Sequence, residues 1–327
     1  MSRIRGVSII FLILAVAMAI VFFLTSRVSS DTKGVKYLIG MSQCNLGEPW
    51  RIQMNNELLA AAENYPDIKI IFTDAAQSNE KQIEDVKKLM ELGIDLLIIS
   101  PNESVPLTPI ISEVYTQIPV IVLDRRVSND DYTMFIGADN RVIGFSAGEH
   151  VKSILSRSGG NVVEIMGLSG SMPTTERSEG FRQSISENPN IKIVEAIVAD
   201  WLRDTAEDAF YEFLTANEEL KIDVVYAHND PMALGAYRAA VSMDRASEMV
   251  FIGIDGLLGP EGGITLVKEG IIDITFIYPT GGEEAIEYAI RLLGGETFDY
   301  KQVILENMQI DRSNYRLYLE LYERRRE

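Results

Sequence analysis

Continuous apolar runs alternate with amphipathic segments along most of the chain. The runs at 68–72 and 95–99 consist mainly of Ile, Leu and Phe, a pattern typical of parallel strands that are covered on both faces. Between these runs, Ile83, Val86 and Leu89 recur at helical spacing. Because strands that alternate with single helices connect through right-handed crossovers, the pattern predicts a parallel sheet with helices on its faces.

A second series of the same kind begins after the segment 136–140. We therefore predict an α/β protein with two Rossmann-like lobes, whose parallel sheets are joined by a hinge of crossing strands. Such a hinge allows two lobes to close around a ligand. The predicted parts are a first lobe of residues 35–138 and 279–301, a second lobe of residues 139–278 and 302–313, and a C-terminal tail of residues 314–327.

The N-terminal residues 1–30 form a separate part. Arg3 and Arg5 precede an uncharged, mostly apolar stretch at 6–26, and Arg27 follows it. This stretch is long enough to cross a bilayer as one helix. We predict a single N-terminal transmembrane helix followed by a short linker, with the body of the protein on the extracytoplasmic side of the cell membrane. The alternative is a cleaved signal peptide and a periplasmic or secreted protein.

Composition excludes several classes of function. The 327 residues carry a formal net charge of −18, which argues against nucleic acid as a partner because phosphates require a basic surface. Cys44 is the single cysteine, and His150 and His228 are the two histidines. We therefore expect no internal disulfide, no metal centre and no cofactor.

Polar side chains gather where predicted strands end. Asp124 and Arg125 directly follow the apolar run 120–123, and the carboxyl ends of parallel strands meet in one crevice. A carboxylate beside a guanidinium presents acceptors next to a planar donor fork, which suits neighbouring sugar hydroxyls. An ion pair that only stabilises the turn is the structural alternative. The polar residues predicted at strand ends are Ser100, Asp124, Arg125, Asn229, Asp230 and Asp255.

Two aromatic residues follow strand ends as well, namely Trp50 and Trp201. An aromatic face that stacks on the C–H face of a sugar buries apolar area, while polar groups along the ring edge replace hydrogen bonds to water. Asp230 also precedes Pro231, a pair that suits a helix N-cap and first helical position.

Five motifs in this order resemble the type I periplasmic binding proteins, in particular the ribose- and galactose-binding class. They are Ile-Pro-Val-Ile-Val-Leu-Asp-Arg at 118–125, Gly-Ala-Asp-Asn at 137–140, Glu-Arg-Ser-Glu-Gly-Phe at 176–181, Ala-His-Asn-Asp-Pro-Met-Ala-Leu-Gly-Ala at 227–236 and Gly-Ile-Asp-Gly at 253–256. Within the class, the motifs are most similar to those of galactofuranose-type and membrane-anchored xylose-sensing members.

The resemblance implies a ligand site. Asp124 and Arg125 match the acid–base pair that grips ring hydroxyls, and Arg177 matches an arginine from the second lobe. The ligand-binding residues predicted in this way are Trp50, Arg51, Ser100, Asp124, Arg125, Arg177, Trp201, Asn229 and Asp255, with Glu48 and Asn102 as weaker candidates. The last cleft position of the family is usually polar, whereas the segment 275–279 of this chain is largely apolar or aromatic.

The resemblance also implies a function without catalysis: an extracytoplasmic receptor that closes on a monosaccharide, either a pentose or a hexose, including furanose forms. Such a receptor delivers its sugar to an ABC permease or signals to a membrane histidine kinase, and the predicted anchor favours signalling. The alternative is an α/β hydrolase with Ser169, Asp200 and His228 as its triad. Gly170 falls one place too early for the Gly-x-Ser-x-Gly motif, which argues against this alternative.

Overall fold

A computed structural model of the protein describes residues 34–324, and the predicted membrane anchor at 6–26 lies outside the described residues. The described part contains two parallel sheets and a small antiparallel pair of strands. The predicted α/β fold with parallel sheets is therefore confirmed. Among residues 34–324, no helix is both long and apolar enough to cross a membrane.

The first sheet has six strands, and each neighbouring pair within it is parallel. These strands are β1 (Tyr37–Gln43), β2 (Ile68–Asp74), β3 (Leu96–Ile99), β4 (Val120–Leu123), β5 (Met134–Ala138) and β11 (Gln302–Leu305). Their order is β11-β5-β4-β3-β1-β2. Side chains of β4 alternate between two cores, since Ile121 and Leu123 pack on one face of the sheet while Val120 and Val122 pack on the other.

The second sheet has four parallel strands in the order β7-β6-β8-β9. They are β6 (Gly160–Met166), β7 (Ile191–Val198), β8 (Val224–Ala227) and β9 (Val250–Ile252). An antiparallel pair, β10 (Thr275–Ile277) and β12 (Met308–Ile310), continues beyond β9 through isolated bridges from Ile252 to Ile274 and from Asp255 to Ile277.

Ten α-helices of the described part connect and cover these strands. They are α1 (Pro49–Ala62), α2 (Asn79–Glu91), α3 (Ser104–Tyr115), α4 (Asn140–Leu155), α5 (Met172–Ile185), α6 (Arg203–Ala216), α7 (Asp230–Ser242), α8 (Gly263–Glu269), α9 (Gly282–Leu293) and α10 (Tyr315–Arg324). The predicted tail thus contains α10, on which Leu317 and Leu321 are exposed.

The strand pairing corrects one predicted boundary. The sequence pattern predicts that residues 302–313 belong to the second lobe, but β11 (Gln302–Leu305) pairs with β5 and forms the edge of the first sheet. Only the following strand, β12, joins β10 on the side of the second sheet. The pattern of apolar residues in a short edge strand does not reveal its partner, because Gln302 and Ile304 face solvent.

A glycine contact sets the position of α5 against α4. A Cβ atom at Gly144 would lie 2.1 Å from the carbonyl oxygen of Arg177, so only glycine allows the two helices to approach this closely. The contact brings Arg177 to the side of the molecule where the strands end.

Candidate functional site

A small cavity lies between the two sheets, where several strands end, and it contains about 270 Å³ of empty space. Part of this space is open to solvent. Its lining residues are Glu48, Trp50, Arg51, Asp124, Arg125, Pro173, Arg177, Trp201, Asn229, Asp255 and Tyr278. Eight of the nine predicted ligand-binding residues are among them, and Ser100 is the exception.

Asp124 forms the centre of the first-lobe side of the cavity. Its carboxylate accepts hydrogen bonds from the Nη2 of Arg51 at 2.7 Å and from the hydroxyl of Tyr278 at 2.6 Å. Burial by itself would raise the pKa of Asp124, but the charges of Arg51 and Arg125 outweigh burial and lower this pKa below its ordinary value. Asp124 therefore carries its charge inside the closed cavity.

Ser100 supports this arrangement from behind the cavity. Its hydroxyl accepts a hydrogen bond from the Nη1 of Arg51 at 2.8 Å. Ser100 is not among the lining residues, and the side chain of Arg51, which does line the cavity, contacts it. Asn102, a weaker candidate, is also outside the lining: its carbonyl oxygen accepts a hydrogen bond from the Nη1 of Arg125 at 3.0 Å.

Several donors that belong to the cavity lining have no hydrogen-bond partner among residues 34–324. They are Nε of Arg51, Nε and Nη2 of Arg125, and Nε1 of Trp201, and all of them are buried. Glu48 lies 3.6 Å from the Nη2 of Arg125, which is an ion-pair distance rather than a hydrogen bond. A buried donor without a partner is costly, so these groups call for a ligand that presents oxygen acceptors.

Arg177 and Trp201 form the second-lobe side. The Nε of Arg177 donates to the Oδ1 of Asn140 at 2.8 Å, and its Nη1 donates to the carbonyl oxygen of His228. Its guanidinium lies 5.3 Å from the ring centre of Trp201 and 4.5 Å from that of Tyr278. Hydrogen bonds from Nε and Nη1 thus fix the orientation of the Arg177 guanidinium, so its remaining N–H groups are preorganised.

Asn229 has two structural bonds that the sequence pattern did not reveal. Its Oδ1 accepts from the backbone N of Met232 at 2.9 Å and so caps α7, and its Nδ2 donates to the carbonyl oxygen of Trp201 at 3.0 Å. The prediction that Asp230 is the N-cap is wrong by one residue, since Asp230 is the first residue of α7. One N–H and one lone pair of the Asn229 amide stay available to a ligand.

Asp255 differs from Asp124 in the direction of its pKa shift. Burial, together with the neighbouring Asp230, raises the pKa of Asp255 well above its ordinary value. Burial also raises the pKa of Asp230 to about 6, although Asp230 accepts hydrogen bonds from Thr275 and from the backbone N of Gly256. A carboxyl group in its neutral form can donate a hydrogen bond. Asp255 and the charged acceptor Asp124 therefore offer different hydrogen-bonding groups to the same cavity.

Three residues adopt unusual backbone conformations where the chain enters the cavity. Asp124 has φ 68°, Trp201 has φ 71° and Asp255 has φ 138°. Such conformations cost energy for residues other than glycine and concentrate at ligand sites. All three residues line the cavity.

Tyr278 is the main site residue absent from the predicted set. It follows β10 directly and lines the cavity, and the available signal was that the segment 275–279 ends a predicted strand. Because Tyr278 is aromatic, the sequence did not suggest that its hydroxyl makes a polar contact in the cavity. The bond from its hydroxyl to Asp124 depends on the approach of the antiparallel pair to the first sheet.

The contacts of His228 do not support the hydrolase alternative. His228 is fully buried, its Nε2 lies 3.1 Å from the Oε1 of Glu164, and its Nδ1 accepts from the backbone N of Gly167 at 3.4 Å. Ser169 is exposed. Because both ring nitrogens of His228 are engaged elsewhere, His228 has none left to activate Ser169. Among the described residues, no group of three or more His, Cys, Asp or Glu side chains could hold a metal ion.

Comparison with known proteins identifies the class to which this fold and cavity belong. Residues 39–297 match the model of the periplasmic binding protein domain, and the chain belongs to this family.

Relatives and solved structures agree with this assignment. The fructose binding periplasmic domain of a hybrid two component system has a solved structure that is 42% identical, with a TM-score of 0.84 over 88% of this chain and 95% of that one. The galactofuranose-binding protein YtfQ of Escherichia coli is 30% identical over 67% of this chain and 70% of its own length. The ribose import binding protein RbsB of Salmonella typhimurium is 28% identical over 85% of this chain and 92% of its own length.

Proposed function

We propose that the protein is an extracytoplasmic monosaccharide receptor, which binds a sugar without chemical change by closing its two lobes. The observation that carries this proposal is the cavity itself: it holds a charged acceptor, Asp124, and buried N–H groups of Arg51, Arg125 and Trp201 that have no partner in the described part of the chain. Each sugar hydroxyl can accept from such a donor and donate to such an acceptor. The relatives named above bind fructose, galactofuranose and ribose, which supports a neutral monosaccharide.

Aromatic rings lie on both sides of the polar groups. Trp50 belongs to the first lobe and Trp201 to the second, and both are buried. The Nε1 of Trp50 donates to the carbonyl oxygen of Tyr278 at 2.7 Å, so the indole ring is held in place. Two buried rings that line the same cavity as the polar groups suit the apolar faces and the hydroxylated edge of a sugar ring.

Direct contacts join the lobes at the rim of the cavity. The backbone N of Ser104 donates to the carbonyl oxygen of Gly170 at 3.1 Å, and the Nε2 of Gln77 donates to the carbonyl oxygen of Asp200 at 3.1 Å. Opening would break these bonds, whereas a bound sugar would add contacts that exist only when the lobes meet. The sugar therefore stabilises the closed state by its differential affinity for that state.

Two kinds of membrane protein are candidates for recognising the closed state. The 42% identical fructose-binding domain belongs to a two-component system, which supports signalling to a membrane histidine kinase. The ribose relative is an import protein, which supports delivery to an ABC permease. Covalent cross-linking of the full chain in its native membrane, with and without sugar, distinguishes the two, because the captured membrane protein is either a kinase or a permease.

Thermal melting of the purified protein with a panel of pentoses, hexoses and sugar acids tests the proposed ligand class. A sugar at one hundred times its dissociation constant adds about 2.7 kcal/mol of stability, which raises the Tm by a few degrees. An Arg125→Ala variant is the matched control, since it should lose the shift while keeping the fold. A shift with sugar acids alone would overturn the neutral-sugar assignment, and no shift with any panel member would overturn the receptor proposal.

A further inference from the structure

His228 lies behind the second-lobe side of the cavity and is not one of its lining residues. Its side chain is fully buried, and it directly follows β8. We propose that His228, in the tautomer that Glu164 selects, is a positioning residue for the sugar site, because it fixes the second-lobe residues that line the cavity. This inference rests on the proposed function and adds two residues that do not line the cavity to the same site.

Three lining residues of the second lobe meet at His228. Its carbonyl oxygen accepts a hydrogen bond from the Nη1 of Arg177. The next residue along the chain, Asn229, donates to the carbonyl oxygen of Trp201 at 3.0 Å. The ring centre of Trp201 lies 6.2 Å from that of His228. A change in the position of His228 therefore affects all three lining residues.

The imidazole ring of His228 is connected to Trp201 through Gly167. The backbone N–H of Gly167 donates to the Nδ1 of His228 at 3.4 Å. A Cβ atom at Gly167 would lie 2.2 Å from the Cε2 and Cζ2 of Trp201, so the backbone of Gly167 packs directly against the indole ring. The bond from Gly167 to His228 thus helps to fix the backbone on which the indole packs.

The contact with Gly167 decides which tautomer of His228 fits. A backbone N–H can only donate, so Nδ1 must be unprotonated and the ring proton must be on Nε2. Nε2 lies 3.1 Å from the Oε1 of Glu164 and donates to this carboxylate. Glu164 is fully buried on β6, next to β8, and its other oxygen accepts from the Nη2 of Arg182. Because one oxygen faces each donor, a carboxylate serves both and an amide does not.

The charge states of the pair agree with this arrangement. Burial by itself would raise the pKa of Glu164, but the hydrogen bond from His228 and the charge of Arg182 lower this pKa below its ordinary value. Burial lowers the pKa of His228, although Glu164 acts in the opposite direction. The other charged or titratable groups around the ring are Arg177 and Arg182 of α5 and Tyr226 of β8. His228 is therefore neutral at neutral pH, and its Nδ1 can accept a hydrogen bond.

Replacing Glu164 by glutamine tests the selection of the tautomer. Arg182 requires the amide oxygen, so the amide N–H₂ faces the Nε2 of His228. Nε2 must then accept, and the ring proton moves to Nδ1, where it meets the N–H of Gly167. We expect Glu164→Gln to weaken sugar binding by about 2- to 12-fold, the fold-change that corresponds to one lost hydrogen bond.

Tyr226→Phe is the matched control for Glu164→Gln. The ring centre of Tyr226 lies 5.2 Å from that of His228, and its buried hydroxyl has no hydrogen-bond partner among residues 34–324. Tyr226 does not line the cavity. Its substitution changes a buried polar group beside the same imidazole without removing a hydrogen bond, so the sugar affinity should stay within about twofold of the wild type.

Two substitutions of His228 separate positioning from a purely structural role. Asparagine places an amide oxygen near Nδ1, so His228→Asn keeps an acceptor for Gly167 and loses the bond to Glu164. Glutamine places an amide N–H₂ near Nε2, so His228→Gln keeps the bond to Glu164 and loses the acceptor for Gly167. We expect the urea midpoint to fall more in His228→Asn, because a buried carboxylate loses a donor. The sugar affinity should instead fall more in His228→Gln, by about 2- to 12-fold.

Two measurements carry the test. Isothermal titration calorimetry with the best sugar of the panel gives the affinities. Nitrogen-15 NMR of protein labelled at histidine gives the tautomer, because the shifts of the two ring nitrogens differ between tautomers. The chain has two histidines, so a His150→Gln variant assigns the spectrum. We expect the Nε2–H tautomer of His228 in the wild type without sugar and the Nδ1–H tautomer in Glu164→Gln.

The outcomes separate this inference from the proposed function. An Nδ1–H tautomer in the wild type, an unchanged tautomer or wild-type affinity in Glu164→Gln, or an equal loss of affinity in Tyr226→Phe would overturn the positioning role and leave a sugar receptor. Affinities that follow the urea midpoints across the two His228 variants would show a purely structural role and overturn it as well. Absence of binding by the wild type to any sugar of the panel would instead remove the proposed function on which the inference rests.

Discussion

Replacing Asp124 by asparagine tests the electrostatic centre of the cavity. Asp124→Asn keeps the shape of the side chain but removes its charge. Arg51, which lies 2.7 Å from the carboxylate, and Arg125, at 3.9 Å, would then share Glu48 as their nearest counter-ion at 3.9 Å and 3.6 Å. The buried guanidinium of Arg51 would lose its closest counter-ion, and removing one partner is the costly way to break an internal ion pair.

We expect Asp124→Asn to lower both the free energy of unfolding and the affinity for the sugar. Loss of one partner of a buried pair costs about 3–5 kcal/mol of unfolding free energy. Hydrogen bonds to a charged group are worth about 1.5–3 kcal/mol, so the affinity for the sugar should fall by roughly 10- to 150-fold. Urea unfolding monitored by circular dichroism measures the first quantity, and isothermal titration calorimetry with the best sugar of the panel measures the second.

Ser100→Ala is the matched control for Asp124→Asn. Ser100 contacts the opposite end of the same guanidinium, at the Nη1 of Arg51, but does not line the cavity. It should lower the unfolding free energy by about 1 kcal/mol and leave the sugar affinity within about threefold. A folded Asp124→Asn protein with wild-type affinity, or a Ser100→Ala protein that loses affinity as strongly, would refute the role of Asp124 as the charged centre of the sugar site.

Three further changes probe closure, stacking and pH dependence. Gln77→Ala removes a bond across the rim and should weaken sugar binding by about 2- to 12-fold, with a smaller sugar-induced compaction in X-ray scattering; unchanged compaction would contradict this. Trp201→Leu should reduce affinity about tenfold by calorimetry without changing the unfolding midpoint by more than a few degrees, and equal affinity would exclude stacking. Burial raises the pKa of Asp230 to about 6, above the ~3.9 of an unfolded aspartate, so its contribution favours folding below about pH 4 and is lost as pH rises through about 6. Asp230→Asn should therefore flatten the loss of unfolding free energy between pH 4 and pH 7, up to about 3 kcal/mol, and an unaltered urea profile would show that Asp230 titrates elsewhere.

Much of the fold could be predicted from local sequence patterns. The wholly apolar strand β4 (Val120–Leu123) and the strand β8 (Val224–Ala227) are buried on both faces, so their sequence shows the pattern expected of parallel strands. The edge strand β11 (Gln302–Leu305) carries no such signal, because one side of it faces solvent. Its assignment to the wrong lobe follows directly from that lack of pattern.

In the candidate site, too, some residues could be predicted from the sequence and others could not. Asp124 and Arg125 could be predicted because a charged pair that ends an apolar run is unusual and because parallel strands end at one edge. Ser100 met the same criterion but does not line the cavity, since strand-end position does not tell whether a neighbouring side chain, here Arg51, contacts it instead.

The sequence by itself determined the order of strands and helices, the residues at the strand ends and the membership of a two-lobed class, because each of these depends on short-range periodicity and local chemistry. Only the tertiary structure decided that Tyr278 shares a hydrogen bond with Asp124, although 154 positions separate them. It also decided that Asn229 caps a helix while it faces the cavity. Contacts between distant segments depend on how whole sheets and helices pack, and local sequence patterns do not specify that packing.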